Sequence, residues 1–146
     1  MIIKFKNKEI VGIYGFLSKL SLKSKKSRAR TRLQRKLEEK YKEYAEGKVE
    51  IQKTYALCDE KGELVLGKDD DLKFETPARK RAYLKEVEEL DEEYAVIDYK
   101  EIMQQLNVLY KVLDKIEMEL EGGDATAYDV LCEQLEKLPE EEEEGE

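Results

Sequence analysis

The segment DYKEIMQQLNVLYKVLDKIEMELE, residues 98–121, carries the strongest secondary-structure signal in this chain of 146 residues. Its apolar residues recur at alternating steps of four and three, the spacing of a coiled-coil seam. They are Ile102, Leu106, Leu109, Leu113, Ile116 and Leu120. Asp98 and Glu101 have the spacing of a capping box, which favours a helix that begins after Asp98. We therefore predict a helix over 98–121 whose seam packs on the preceding helix, on a partner helix or on a second copy of the chain.

The same periodicity predicts four further helices. The first follows a cap at Asn7, the long second follows a cap at Ser27, the third begins at Thr76-Pro77, and the last follows Asp124 and ends before Pro139. Their apolar stripes are Ile10, Ile13, Leu17 and Leu20 in the first; Leu33, Leu37, Tyr41, Tyr44, Ile51 and Tyr55 in the second; Tyr83, Val87, Leu90, Tyr94 and Ile97 in the third; and Tyr128, Leu131, Leu135 and Leu138 in the last. The short connection between the first two helices favours an antiparallel pair.

Two segments favour β-structure. Residues 1–5, MIIKF, are short and rich in β-branched residues, as in a strand. Residues 62–75 contain ELVL and LKFE on either side of a turn and predict a β-hairpin. Such a hairpin must lean on a helix or join the N-terminal strand in a three-stranded sheet. The predicted fold is mainly α (α+β): an antiparallel bundle of long helices with a small β-hairpin, one domain over 1–139, and an acidic tail at 140–146.

Positive charge is concentrated near the N-terminus. Residues 1–36 hold twelve Lys or Arg and one acid, whereas the whole chain has a net charge of −8. The cations crowd the predicted start of the second helix, where the helix dipole disfavours them. They are Lys25, Lys26, Arg28, Arg30, Arg32, Arg35 and Lys36. A negative group should therefore lie nearby: the chain's own acids at 85–93 or in the C-terminal tail, a phosphate, or an acidic patch on another protein.

The composition argues against catalysis. The chain has no histidine, which excludes Ser-His-Asp and Cys-His catalysis and His-ligated zinc. Two cysteines, Cys58 and Cys132, cannot supply a four-ligand zinc site or a disulfide framework. Asp69, Asp70 and Asp71 lack the spacing of a calcium loop. We predict a non-enzyme without cofactor or metal. With no signal peptide and no membrane-spanning run, we expect a cytoplasmic protein that does not contact membranes.

Three segments resemble an uncharacterised family of small helical proteins encoded in phages and prophages of Gram-positive bacteria. They are LSLKSKKSRARTRLQRKLEEKYKEYAE (20–46), TYALCDEKGELVLGKDDDLKFE (54–75) and LKEVEELDEEYAVID (84–98). The resemblance covers roughly the first 100 residues. It implies a phage protein located in the host cytoplasm or in the virion, and it transfers no catalytic residue.

Three functions follow as hypotheses. The first is a non-enzymatic phage accessory protein, a virion, tail or assembly component, that binds another protein through the seam at 102–120 and can also self-associate there. The second is a stoichiometric inhibitor of a host anti-phage nuclease complex, in which carboxylates at 86–93 and 140–146 imitate phosphates. The third is nucleic-acid binding through the basic residues 23–36, with an affinity that falls steeply with salt.

Overall fold

The structure is a computed structural model that describes residues 1–139. Its strands and helices, in chain order, are β1 (Ile2–Lys6), α1 (Ile10–Ser18), α2 (Ser24–Tyr55), α3 (Pro77–Glu92), β2 (Tyr94–Asp98), α4 (Met103–Asp114) and α5 (Gly122–Leu135). The mainly helical fold with a small hairpin is therefore confirmed. The predicted acidic tail, residues 140–146, lies outside the described residues.

The chain forms two compact units, which we describe separately. The strand-containing unit comprises Met1–Lys40 and Tyr94–Glu146, and the hairpin unit comprises Tyr41–Glu93. α2 contributes its first half to the strand-containing unit and its second half to the hairpin unit.

In the strand-containing unit, β1 pairs with β2 in an antiparallel sheet whose register sets Ile3 opposite Ile97 and Phe5 opposite Ala95. These four side chains are buried, whereas those that alternate with them are mostly exposed. The N-terminal strand is thus confirmed, but its partner is not the 62–75 hairpin. The prediction that Tyr94 and Ile97 extend the third helix is wrong. YAVID alternates and contains β-branched residues, so it forms a half-buried strand once α3 has ended.

The predicted seam lies in the core of the strand-containing unit. Leu106, Leu109 and Leu113 are completely buried, Ile102 is nearly so, and all four pack among the apolar residues of β1, α1, α2 and α5. The helix itself is shorter than predicted, because α4 begins after a 3-10 turn at Lys100–Ile102 and ends at Asp114. Ile116 and Leu120 still pack against the core, but from an irregular segment.

A side-chain hydrogen bond accounts for part of the early end of α4. The Tyr128 hydroxyl of α5 donates to the Leu113 carbonyl oxygen at 2.8 Å. That carbonyl is one of the four that a helix leaves without an internal partner at its C-terminus. α5 itself begins two residues before Asp124, so Asp124 lies in its first turn and is not its cap.

α1 and the first half of α2 pack antiparallel, as predicted. The Tyr14 hydroxyl of α1 donates to Glu38 Oε1 of α2 at 2.8 Å. Further along α1, the Leu17 carbonyl oxygen accepts from Arg30, which precedes Glu38 in α2, so the two helices run in opposite directions. The apolar residues predicted for the first helix are all buried. Asn7 does not cap α1, because it begins a 3-10 turn that precedes the helix.

In the hairpin unit, the start of α3 is as predicted: Thr76 Oγ1 accepts from the Arg79 amide at 3.1 Å, and Pro77 is the first helical residue. The 62–75 segment does form antiparallel pairs, but only as the isolated bridges Cys58–Leu64 and Leu66–Leu72. Its turn is a 3-10 segment, Lys68–Asp70, in which two aspartates have positive φ angles of 60° and 58°. Aspartate is among the few residues that adopt this region readily.

The burial of Leu109 predicts a large effect on stability. Leu109→Ala should lower the free energy of unfolding by about 2–5 kcal/mol, since it removes buried methyl groups and leaves a cavity. Urea denaturation followed by circular dichroism measures it. The matched control is Leu84→Ala on α3, where the leucine is 53% exposed; it should change stability by less than about 0.5 kcal/mol. If Leu109→Ala left stability unchanged and instead dissociated an oligomer, the seam would be an intermolecular interface.

Candidate anion-binding cavity

The basic segment lies at the start of α2, which begins at Ser24, three residues before the predicted cap. Ser27 is therefore inside the helix and caps nothing. Lys25, Lys26 and Arg28 occupy the first turns, and the first turn contains no acidic residue. The predicted conflict between these cations and the positive end of the helix is present in the structure.

A cavity of about 150 Å³ lies between the first turns of α2 and α4. It is lined by Lys25, Arg28, Ala29, Arg32, Gln104, Gln105 and Val108. At the volume that a molecule occupies in liquid water, the cavity has room for roughly five waters. It therefore has the size of a single oxyanion group with its hydration rather than that of a large organic ligand.

Helical spacing brings the cations to the same side of α2. Lys25, Arg28 and Arg32 are separated by three and four residues, and Arg35 and Lys36 continue the row. We call these five residues the basic stripe. They fall within about 100° of the helix circumference and extend over about 16 Å of its length. Lys26 is exposed but lies on another side of the helix and does not line the cavity.

The basic stripe is not neutralised by the described part of the chain. None of its five side chains has an ion pair or hydrogen bond with residues 1–139. The acids at 85–93 belong to the hairpin unit, and the expectation that they balance the stripe stays a prediction. The C-terminal acids at 140–146 lie outside the described residues. Within residues 1–139, the positive charge of the stripe is therefore not compensated by an ion pair or a hydrogen bond.

Arg30 differs from its neighbours because its side chain is bonded to the backbone at the end of α1. Its guanidinium donates to the carbonyl oxygens of Leu17, at 3.3 Å, and Leu20, at the C-terminal end of α1. It also donates to Ser27 Oγ at 3.3 Å. Cations are favoured at helix C-termini, where carbonyl groups lack partners. Of the seven basic residues predicted as a binding site, Arg30 is therefore occupied by the chain itself.

Two helix starts add positive potential to the cavity. Lys25 and Arg28 lie in the first turns of α2, and Gln104 and Gln105 lie in the first turn of α4. The N-terminal end of a helix carries partial positive charge and favours anions. The sequence did not indicate the two glutamines, because polar residues beside an apolar seam are typical of any solvated helix face.

The described residues offer little other chemistry. No group of three or more Cys, Asp or Glu side chains within 1–139 is placed to hold a metal ion. Within the same residues, no helix combines the length and the apolar character of a membrane span. Both cysteines are free and half-buried. Burial, followed by nearby carboxylates, raises the pKa of the Cys132 thiol, which makes it a poorer nucleophile at neutral pH.

Comparison with known proteins matches the chain to a protein family. A family model described as "Protein of unknown function (DUF1617)" matches residues 1–142. No curated protein and no solved structure matches the chain.

Because Arg30 and Arg28 have different contacts, their alanine variants should differ in stability. Arg30→Ala should lower the free energy of unfolding by about 1.5–3 kcal/mol, because the carbonyls at the end of α1 lose a charged donor. Arg28→Ala should change it by less than about 0.5 kcal/mol. Urea denaturation of both variants measures the difference. Equal losses of stability would contradict the assignment of Arg28 to the cavity and Arg30 to the fold.

The position of Lys25 predicts a gain in stability. Lys25→Glu should raise the free energy of unfolding by about 0.5–1 kcal/mol, because it places a negative charge at the positive end of α2. The control is Lys53→Glu in the last turn of the same helix, where the lysine is exposed. It should lower stability by a similar amount, and both effects should shrink at high salt. A loss of stability in Lys25→Glu would indicate that this lysine has a negative partner within the chain.

Proposed function

The chain belongs to the DUF1617 family, whose function is unknown, and we propose that it is a non-enzymatic protein that binds the phosphate backbone of nucleic acid through the cavity and the basic stripe. The observation that carries this proposal is the row of five cations on one side of α2 without a partner among residues 1–139. Cations that crowd a helix start destabilise it. A row of cations without internal partners can contact the repeating phosphates of a nucleic-acid backbone.

The described residues of the strand-containing unit carry a net positive charge, unlike the hairpin unit. In the strand-containing unit, residues 1–40 and 94–139 hold seventeen Lys or Arg against thirteen Asp or Glu. The hairpin unit holds ten against sixteen. Residues 1–40 and 94–139 therefore carry a net charge of +4, whereas the six acids at 140–146 bring the whole unit to −2. A row that extends over about 16 Å suits a repeating backbone charge better than one acidic side chain.

The position of the seam weakens the competing hypothesis of a partner helix. That hypothesis needs Leu106, Leu109 and Leu113 to be accessible, whereas all three are completely buried in the core of a single chain. A partner could reach them only after the core had opened. A protein partner must therefore bind another surface. The basic stripe could bind an acidic patch on such a partner, and affinity capture tests this alternative.

The biological setting is part of the proposal. In a phage-infected cell, which the sequence resemblance implies, such a protein would act as an accessory factor on phage or host nucleic acid, in the host cytoplasm or in the virion. The alternative role, inhibition of a host nuclease complex, would use the acidic segments and not the stripe. Variants of the stripe therefore separate the two roles.

Nucleic-acid binding predicts a defined salt dependence. If all five stripe cations contact phosphates of a DNA or RNA duplex, the logarithm of the affinity should fall with the logarithm of salt with a slope of about −4.5. Arg28→Ala with Arg32→Ala should weaken binding about a hundredfold at low salt, a factor of ten for each contact, and reduce the slope by about 1.8. Fluorescence anisotropy of a labelled duplex measures both quantities.

The matched control removes the same charge elsewhere. Lys80→Ala with Arg81→Ala changes two exposed cations of α3 in the hairpin unit. This variant should keep the affinity and slope of the unaltered protein. Equal weakening in both double variants would indicate a nonspecific effect of net charge. Affinity capture from phage-infected cells provides a second test: partners that survive nuclease treatment but require Arg28 and Arg32 would replace nucleic acid with an acidic protein.

A further inference from the structure

We infer that the outer edge of β2, the edge that faces away from β1, pairs with the same edge of a second copy of the chain. The pairing joins two β1–β2 sheets into one four-stranded sheet. This interface involves neither the cavity nor the basic stripe, and it does not depend on nucleic-acid binding. It rests on the juxtaposition of a covered edge on β1 and a bare edge on β2 in the same two-stranded sheet.

The hydrogen bonds of β1 show which backbone groups of β2 point outward. The Lys4 amide donates to Gln134 Oε1 of α5 at 3.0 Å, so it points away from β2. Val96 lies directly opposite Lys4. In an antiparallel pair, the two residues of such a position direct their N–H and C=O groups away from each other, and every second residue does the same. The residues of β2 whose backbone groups point outward are therefore Tyr94, Val96 and Asp98.

The two edges of this sheet differ in what covers them. α5 packs against β1, and the outward amides of Lys4 and Lys6 donate to Gln134 and to Glu9 Oε1, the second at 2.7 Å. On β2, no group within residues 1–139 bonds to the N–H or the C=O of Val96, and this residue is 41% exposed. A strand edge with free backbone groups is a template for pairing with another strand.

The sequence of β2 lacks the features by which proteins prevent such pairing. Those features are proline, a β-bulge, or charged side chains along the edge strand, lysine above all. The first four residues of β2, YAVI, are uncharged, and their pairing with β1 has no bulge. The other strand carries Lys4 and Lys6. The strand that is covered thus also carries the protective lysines, and the bare strand carries none.

A second copy satisfies this edge and leaves no new edge open. An antiparallel pair centred on Val96 sets Val96 opposite Val96 of the second copy and Tyr94 opposite its Asp98, so no like charges face each other. The joined sheet has the order β1–β2–β2–β1, and both of its outer edges are the β1 edges that Gln134 and Glu9 cover. Pairing therefore stops at a two-fold symmetric dimer, the commonest oligomer. An unrelated strand would bring a bare edge of its own.

The unaltered chain, without nucleic acid, provides the first test. Sedimentation equilibrium from about 1 μM to about 1 mM should show the mass of one chain at the low end and of two chains at the high end. At the high end, the Val96 amide should exchange its hydrogen about tenfold more slowly than an amide that bonds only water. The Ile97 amide, which points toward β1, should be protected at every concentration. A monomer throughout, or an unprotected Val96 amide at the high end, would overturn the inference.

Two variants locate the interface at β2. Val96→Lys sets two lysines opposite each other on the symmetry axis and should weaken dimerisation about fivefold, the effect of one unfavourable cross-strand pair. The matched control is Ile2→Lys, which adds the same charge at an exposed residue on the same face of the sheet, but on β1. It should leave dimerisation unchanged. A dimer that Val96→Lys does not weaken, or that both variants weaken equally, would overturn the inference and leave the proposed function intact.

Discussion

The burial of the α4 seam is the constraint on which the geometry of the cavity depends. Leu106, Leu109 and Leu113 can be completely buried only if α4 lies with that side against the core. The adjacent side of the same helix then presents Gln104, Gln105 and Val108 to the first turns of α2. The apolar pattern that forms the core therefore also places two amide side chains beside the arginines. The cavity is a consequence of packing as well as of charge.

Neighbouring cations near the start of α2 lie in opposite electrostatic environments. Arg30 lies against the carbonyl end of α1, where a cation is stabilising. Lys25 lies in the first turn of α2 and Arg28 directly after it, at the amide end, where a cation is destabilising, and neither has a partner within residues 1–139. Proteins tolerate such local penalties at functional sites, and the ligand that we propose would supply the missing negative charge.

Patterns within one segment were predictable, and contacts between segments were not. Thr76 and Pro77 begin α3 as predicted, because a cap depends only on neighbouring residues. Tyr94 and Ile97 continue a helical spacing but belong to a strand, because pairing with β1 outweighs local periodicity. The Leu113 carbonyl at the end of α4 accepts a hydrogen bond from Tyr128, fifteen residues further along the chain, and this contact has no signal in the local sequence. The sequence likewise shows the basic residues but not which of them faces α1.

The six arginines can be followed individually in solution, which shows directly whether nucleic acid binds at the start of α2. An NMR spectrum of the arginine Nε–H groups, recorded as a DNA or RNA duplex is added, reports which guanidinium groups contact it. We expect the signals of Arg28 and Arg32 to shift strongly and that of Arg35 to shift as well, while those of Arg30, Arg79 and Arg81 stay in place. Shifts confined to Arg79 and Arg81, or a spectrum that does not change, would contradict the assignment of nucleic-acid binding to the cavity and the basic stripe.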